Sequence, residues 1–333
     1  DEITIKFAAC GVCHSDLSAI TGKIPYPPPL VLGHEAAGVV VEVGEGVTAF
    51  KEGDHVVSTF ISMCGKCSQC VRGRPVLCEN ARKAMFNLPD GTVRTKGADG
   101  EPLNVFGACG VMAEFACVNV DETVPMQNAA LVGCAVMTGV GAVFNTAKLE
   151  PGSRAAVFGI GGVGLNAIQG CVTAGAEMIV AVDSNPAKLA MAKEFGATHT
   201  VNINEVEDAA KAVKKMTGGV DYAFECVGAG PVVEQAYKSL GRGGTAVVVG
   251  VADPKDKTSL TTLTLPADER TLKGSWLGSA RPQHDFPRIL GLYKAGKLKL
   301  DELVTRTYTI EEAAQAFDDM VAGKNARGVI VFE

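Results

Sequence analysis

The sequence predicts an α/β protein: a doubly wound parallel sheet with helices on both faces, accompanied by a second, mainly-β domain. Three observations carry this. The 333 residues favour two domains, each large enough for its own core. The texture changes at about residue 140, from short β runs between turns to longer apolar runs alternating with helical patterns. Beyond that point the patterns alternate as βαβαβ, the order that builds a parallel sheet covered on both faces.

In chain order, "AAGVVVEVGEGVTAF" and "KEGDHVVSTF" read as two strands joined through Gly44, Glu45 and Gly46, with Gly53-Asp54 as a second turn. Residues 79–108 are polar and punctuated by Gly and Pro, which predicts a long surface excursion. "RAAVFGIG" is a buried-strand run, "GVGLNAIQGCVTAG" a helix and "MIVAVD" a second strand. "NPAKLAMAKEFGA" predicts a helix with Asn185 as N-cap and Pro186 at its first position. "HTVNI", the helix "EVEDAAKAVKKMTG", "VDYAFECVG", "PVVEQAYKSLG" and "GTAVVVGV" continue the alternation. Helical patterns at 284–296 and 310–322 and a strand "GVIVFE" close the chain. The expected domains are 1–139 with 277–333, carrying a cysteine lobe at 63–79, around a parallel-sheet domain of 140–276.

Composition excludes several classes. Net charge is −6, from 31 basic and 37 acidic residues, without a basic stripe for nucleic acid or an anionic membrane surface. No apolar run is read as reaching the roughly 18 residues of a membrane span. The start "DEITIKFAAC" has no basic segment leading into an apolar one, so no secretory signal is visible and a cytoplasmic location is expected. In that setting eleven cysteines point to metal or catalysis before disulfides.

"VFGIGGVG" contains Gly159-x-Gly161-x-x-Gly164 between a strand and a helix, and Asp183 ends the next strand. Gly159 allows the tight turn, Gly161 lets the backbone approach a pyrophosphate, and Gly164 packs helix on strand. The helix N-terminus then faces the phosphates. Asp183 would accept from a ribose 2′-OH and repel a 2′-phosphate, favouring NAD over NADP. The alternative is a mere tight turn.

Cys64-x2-Cys67-x2-Cys70-x7-Cys78 offers four soft ligands that can close tetrahedrally on one Zn2+ at about 2.3 Å. A closed shell admits neither water nor substrate, so this site braces a loop and the chemistry lies elsewhere. The remaining metal-type residues sit in "CGVCHSDL", "GHEAAG" and "LVGCAVMTGVG". Spacing alone cannot join them.

Together these segments resemble the zinc-dependent medium-chain alcohol dehydrogenases. "GHEAAGVVVEVGEGV" is similar to that family's zinc signature, and "GVCHSDL", the four-cysteine lobe, "LVGC" and "VFGIGGVG" occur in family order across essentially the whole chain. The resemblance implies a Rossmann domain with a GroES-like catalytic domain, two Zn2+ per chain, and NAD. It implies that Cys13, His34 and Cys134 hold the catalytic zinc with one position open for alcohol. It gives Asp16 the role of orienting His34, Glu35 that of a transient replacement ligand, and Ser15 that of accepting the alcohol proton. Cys10 is expected to pack rather than ligate. For the cofactor it implies His14 and Arg327 on the pyrophosphate, Lys188 near the adenine ribose, and Thr138 and Val163 against the nicotinamide. Gly162, Val227 and Val251 join them.

The resemblance is incomplete at two points. Ser18 stands where many members end the proton relay with a histidine, and the chain begins after the family's usual first strands, which is expected to weaken that domain's edge. Cys134 favours the alcohol branch over polyol relatives. The long 79–108 segment is similar to that of dimeric members, so a homodimer is expected. Phe60, Phe106 and Trp276 fall at channel positions, implying primary aromatic or medium-chain alcohols and their aldehydes. The alternative is a thiol-dependent formaldehyde dehydrogenase acting on S-hydroxymethylglutathione, with Arg82, Lys83 and Arg94 as its basic contacts. A non-catalytic dinucleotide sensor is the reading from a different class.

Overall fold

The structure, a computed structural model, describes residues 2–81, 92–93, 95–108 and 117–332. It divides into two compact units. One comprises Asp1–Cys134, Arg281–Gly296 and Leu300–Glu333; the other comprises Ala135–Ala280 and Lys297–Lys299.

The first unit contains β1 (Ile3–Gly11), β2 (Leu30–Val31), β3 (Ala36–Val43), β4 (His55–Ser58), β5 (Asn104–Val105) and β6 (Cys117–Asn119). The second contains β7 (Arg154–Phe158), β8 (Met178–Asp183), β9 (His199–Asn202), β10 (Val220–Glu225), β11 (Leu240–Val248) and β12 (Thr271–Gly274). β13 (Val304–Tyr308) and β14 (Arg327–Val331) return to the first.

The first unit's main sheet runs β13-β14-β1-β3-β4-β6. Its alternating strands turn Ile3, Ile5, Val40 and Val56 inward, where Phe7, Val43 and Phe50 pack against them. β1 is interior, antiparallel to β14 on one side and β3 on the other, so it presents no free edge. Gly53, at φ +89°, makes the turn read from the sequence between β3 and β4. The helix Ala313–Val321 is fastened by Asp319, which accepts from Tyr308 Oη at 2.9 Å, Arg306 Nη1 at 2.8 Å and Lys324 Nζ at 3.0 Å.

The second unit's sheet is parallel throughout, in the order β12-β11-β10-β7-β8-β9. The order reverses between β7 and β10, the topological switch point at which such sheets bind ligands beyond their carboxyl ends. Near-continuous apolar strands follow from burial on both faces: Ala156, Phe158, Val180, Val182 and Phe224 are all almost fully enclosed. Asn185 caps the helix Pro186–Glu194, its Oδ1 accepting from Ala187 N at 2.9 Å. The next helix is shorter than the sequence suggests. It spans Ala209–Thr217, because Asp208 takes the N-cap and accepts from Lys211 N at 2.8 Å, leaving 203–205 as a separate turn.

One sequence reading needs correction. Met126–Ala147 is a continuous 22-residue helical run, long and apolar enough by composition to cross a membrane. Its most apolar stretch is 89% buried within the protein, so it is a core helix. Its Gly and Ala residues conceal its length from a reading that looks for Leu- and Ile-rich runs.

Candidate active site

β1 ends at Gly11, and Cys13 then caps the helix His14–Ile20. His34 and Glu35 lie on the short link into β3, and Cys134 lies in a widened turn of the long helix. The fold brings one donor atom from each of Cys13, His34, Glu35 and Cys134 within 4.8 Å of one another, all buried. These are the three residues expected to hold the working zinc, together with the acid expected to replace one transiently.

Asp16 fixes the imidazole. Its carboxylate lies 3.2 and 3.3 Å from His34 Nδ1 and accepts from Gly33 N at 2.9 Å. Nδ1–H is thereby committed as donor and Nε2 becomes the ligand nitrogen. Burial works against a charged imidazole, but the charges of Asp16 and Cys13 outweigh it and raise His34 well above its usual range. The Cys13 thiol is held well below its ordinary value, first by its hydrogen bond with Cys134 and then by His34, against burial.

Glu35 is fully enclosed. Its Oε2 accepts from Arg327 Nη2 at 2.5 Å, while Oε1 lies 4.0 Å from His34 Nε2 and has no hydrogen-bond partner among the described residues. Burial raises its carboxyl to about 8, opposed by Arg327. Two thiols, an imidazole and an unsatisfied carboxylate oxygen around one enclosed point form a donor set suited to Zn2+.

Arg327, expected on a pyrophosphate, is 6% exposed, and its Nη2 pairs with Glu35. β14 runs beside β1, and a Cβ on Gly11 would lie 2.6 Å from Glu35 Oε2 and 3.2 Å from Arg327 Nη2. The absence of a side chain at Gly11 leaves the room in which the guanidinium and the acid pair.

Ser15 Oγ is 3.7 Å from Cys13 Sγ, and His14 is exposed at the start of the same helix. Phe60 and Phe106 stand edge-on to His34, with ring centroids 5.5 and 5.2 Å away. Cys10 is half-buried, its thiol pushed up to about 12 by burial, and it is not in the donor set.

The four-cysteine lobe is separate. Cys64, Cys67, Cys70 and Cys78 also place their sulfurs within 4.8 Å of one another. Backbone N–H groups support them: Cys67 N donates to Cys64 Sγ at 3.3 Å and Cys64 N to Cys78 Sγ at 3.4 Å. A hydrogen bond from Asn80, helped by backbone donors, lowers Cys64 to about 6, into thiolate range. The ten described cysteines all carry free thiols. Four convergent sulfurs fit a closed tetrahedral Zn2+.

In the second unit Gly159 has φ +90°, and a Cβ on Gly164 would lie 2.0 Å from Gly159 O. Around Gly161, by contrast, a Cβ would meet nothing within 4 Å, so the backbone before the helix Gly162–Ala174 is open to a ligand. Asp183 Oδ2 accepts from Ile160 N at 2.7 Å and Oδ1 from Asn185 N at 2.9 Å. The acid thus holds the glycine loop to the next helix cap. Val163 is the second residue of the loop's helix, Thr138 is buried, with 9% of its surface exposed, and Lys188 is half-buried. Val227, Val251 and Trp276 are 53%, 45% and 45% exposed, all beyond carboxyl ends of strands.

Comparison with known proteins decides the family. Residues 1–128 match the alcohol dehydrogenase GroES-like domain and 162–295 the zinc-binding dehydrogenase domain. The NDMA-dependent alcohol dehydrogenase of Amycolatopsis methanolica is 41% identical over 99% of this chain and 91% of that protein. The S-(hydroxymethyl)glutathione dehydrogenase of Paracoccus denitrificans is 38% identical over 99% of this chain and 92% of that protein. The chain belongs to the zinc-dependent medium-chain dehydrogenase/reductase family, alcohol dehydrogenase type. The crystal structure of benzyl alcohol dehydrogenase from Acinetobacter calcoaceticus superimposes with a TM-score of 0.92 at 32% identity, covering all of this chain and 92% of that one.

This dehydrogenase is therefore an oxidoreductase of Rossmann plus GroES-like architecture that uses zinc and a nicotinamide cofactor on a small alcohol or aldehyde. Arg82, Lys83 and Arg94 lie outside the described residues. Sequence reasoning missed Glu225, a fully enclosed acid ending β10. It accepts from Val227 N at 2.8 Å and Gly228 N at 2.7 Å, fixing the loop whose Val227 side chain covers Gly159. Its signal was an acid at the end of a buried strand followed by Gly228, in "FECVG".

Proposed function

We propose that this chain is an NAD-dependent alcohol dehydrogenase acting on primary aromatic or medium-chain alcohols and their aldehydes. One observation carries the substrate class: two aromatic rings, Phe60 and Phe106, stand edge-on against the imidazole of the Cys13/His34/Cys134 donor set. An apolar aromatic wall beside a metal ligand favours a substrate that is apolar beyond its hydroxyl. Trp276 is assigned to the same channel by resemblance.

Cys13, His34 and Cys134 would hold the working zinc, and Cys64, Cys67, Cys70 and Cys78 the structural one. Zinc supplies Lewis acidity that lowers an alcohol's pKa, and a nicotinamide ring exchanges the hydride. The protein's own work is to orient and to move a proton. Asp16 holds His34 in its ligating tautomer, and Ser15 takes the proton of the substrate hydroxyl. From Ser15 the relay continues through the cofactor ribose. Glu35, held by Arg327, stands by as a replacement ligand. Asp183 selects NAD by repelling a 2′-phosphate. His14 and Arg327 are assigned to the pyrophosphate, Arg327 while its Nη2 stays paired with Glu35. A cytoplasmic homodimer is the expected working form.

A second reading is supported by the Paracoccus denitrificans relative, named for S-(hydroxymethyl)glutathione. Initial rates with NADH and a panel of acetaldehyde, hexanal, benzaldehyde, and formaldehyde with and without glutathione separate the two. Fast benzaldehyde or hexanal turnover supports the proposal; turnover confined to formaldehyde with glutathione replaces it with the second reading. A parallel assay with benzyl alcohol and NDMA tests whether this chain shares the dependence named for the Amycolatopsis relative.

A further inference from the structure

After β12 the chain enters a turn with an unusual backbone. Leu277, Gly278 and Ser279 have φ of +47°, +62° and +51°, three left-handed residues in a row. Glycine adopts this region freely, whereas Leu and Ser do so at a cost, and such conformations persist only where neighbours hold them.

The neighbours are identifiable. Thr146 Oγ1 lies 2.8 Å from Ser275 Oγ and 2.8 Å from Ser279 Oγ, and Asn145 Nδ2 donates to Gly278 O at 3.2 Å. A single hydroxyl therefore bridges both ends of the turn while the adjacent amide holds its middle. Gly278 lies so close to the long helix that a Cβ would be 2.3 Å from Met137 O and 2.7 Å from Gly141 Cα.

The turn and the helix that follows the glycine loop both pack against the segment Met137–Gly141. Gly139, two residues from both Met137 and Gly141 and so on the opposite helical face, is the residue at which the segment meets the loop's helix. A Cβ there would be 2.4 Å from Val163 O and 2.6 Å from Asn166 Cβ. The segment Met137–Gly141 is thus a thin spacer between the strained turn and the residue assigned to the nicotinamide, Val163. It also carries Thr138, assigned to the same ring. Topology agrees: the turn follows the carboxyl end of β12, the sheet edge from which the glycine loop follows β7.

We propose that Thr146 is a positioning residue for the cofactor. Its two hydroxyl contacts fix the Leu277–Ser279 turn as the wall that seats the nicotinamide end of the dinucleotide. The inference builds on the cofactor reading above and adds a residue that does not itself touch the cofactor.

Trp276, the chain's single tryptophan, begins the turn and serves as the reporter. The experiment titrates NADH into the zinc-loaded enzyme by Trp276 quenching and by calorimetry, and measures KM for NAD+ and kcat with benzyl alcohol. Thr146→Val, which keeps the shape and removes the hydroxyl, is expected to weaken NADH about tenfold and raise KM for NAD+ in step, with zinc content unchanged. Thr146→Ser should stay within about twofold of the parent. Ser279→Ala removes one of the two bonds and should weaken NADH by about threefold, an effect absent in a Thr146→Val background. Parental affinity in both Thr146→Val and Ser279→Ala overturns the inference, as does a Thr146→Ser variant as weak as Thr146→Val. A parent enzyme that fails to bind NADH defeats the cofactor reading itself, and this inference with it.

Discussion

Asp16 and Asp183 are each the second partner of a residue the sequence makes conspicuous, and each has a measurable consequence. Asp16→Asn removes the charge that fixes His34 Nδ1–H, so kcat should fall about tenfold to a hundredfold, with metal affinity weakened to match. Parental kcat and zinc content would show that His34 needs no orienting acid. On the proposed NAD preference, Asp183→Asn should remove the repulsion of a 2′-phosphate while keeping one acceptor oxygen. The ratio of kcat/KM for NAD+ over NADP+ should fall roughly tenfold, and an unchanged ratio would assign the preference elsewhere. At this scale much was legible: Cys13, His34 and Cys134 could be named because the resemblance joined residues far apart in sequence. The partner of Arg327 was not legible, since its place on Glu35 depends on β14 lying beside β1. Glu225 was missed for a related reason: a carboxylate ending a buried strand has no local pattern until its loop folds back onto it.

Elements defined by local chemistry could be read closely, and those defined by tertiary packing less so. Asn185-Pro186 marked a helix start that the structure reproduces, because cap and fixed φ act within one turn. Asp208 was passed over, because the periodic pattern of "EVEDAAKAVKKMTG" extends past it and only the capping geometry decides where helix begins. The long helix Met126–Ala147 escaped notice because small residues packed on all sides give a weak apolar signal. The tether of the C-terminal helix belongs to this scale and carries a pH signature. Asp319 is held below its ordinary value of 3.8 by hydrogen bonds from Lys324 and Tyr308. A carboxyl with a folded pKa below its unfolded one contributes stability that is complete above the unfolded value and lost as pH falls through the folded one. Asp319→Asn should therefore lower the melting temperature by several degrees at neutral pH, and the gap to the parent should close in acid below the ordinary carboxylate range. A gap that is constant with pH would mean that shape rather than charge fastens the helix.

At the scale of the molecule, two donor sets of the same soft chemistry differ in what surrounds them. The four-cysteine lobe closes its own shell with sulfur and backbone N–H groups. The Cys13, His34 and Cys134 set is walled by an acid, a counter-ion and two aromatic rings, and Ser15 Oγ lies 3.7 Å from Cys13 Sγ. The sequence could separate them, because clustered cysteines with short spacing close locally whereas a catalytic set is assembled across the fold. Cys67→Ser should accordingly lower thermal stability before it lowers the specific activity of the folded fraction. A loss of turnover without loss of stability would move the chemistry into the lobe. The most direct test of the account is the zinc content and benzyl alcohol turnover of one variant, Cys13→Ser. The account predicts a folded protein that retains the structural zinc, loses the other, and does not turn over. Full activity at saturating substrate with the parental zinc content would contradict it.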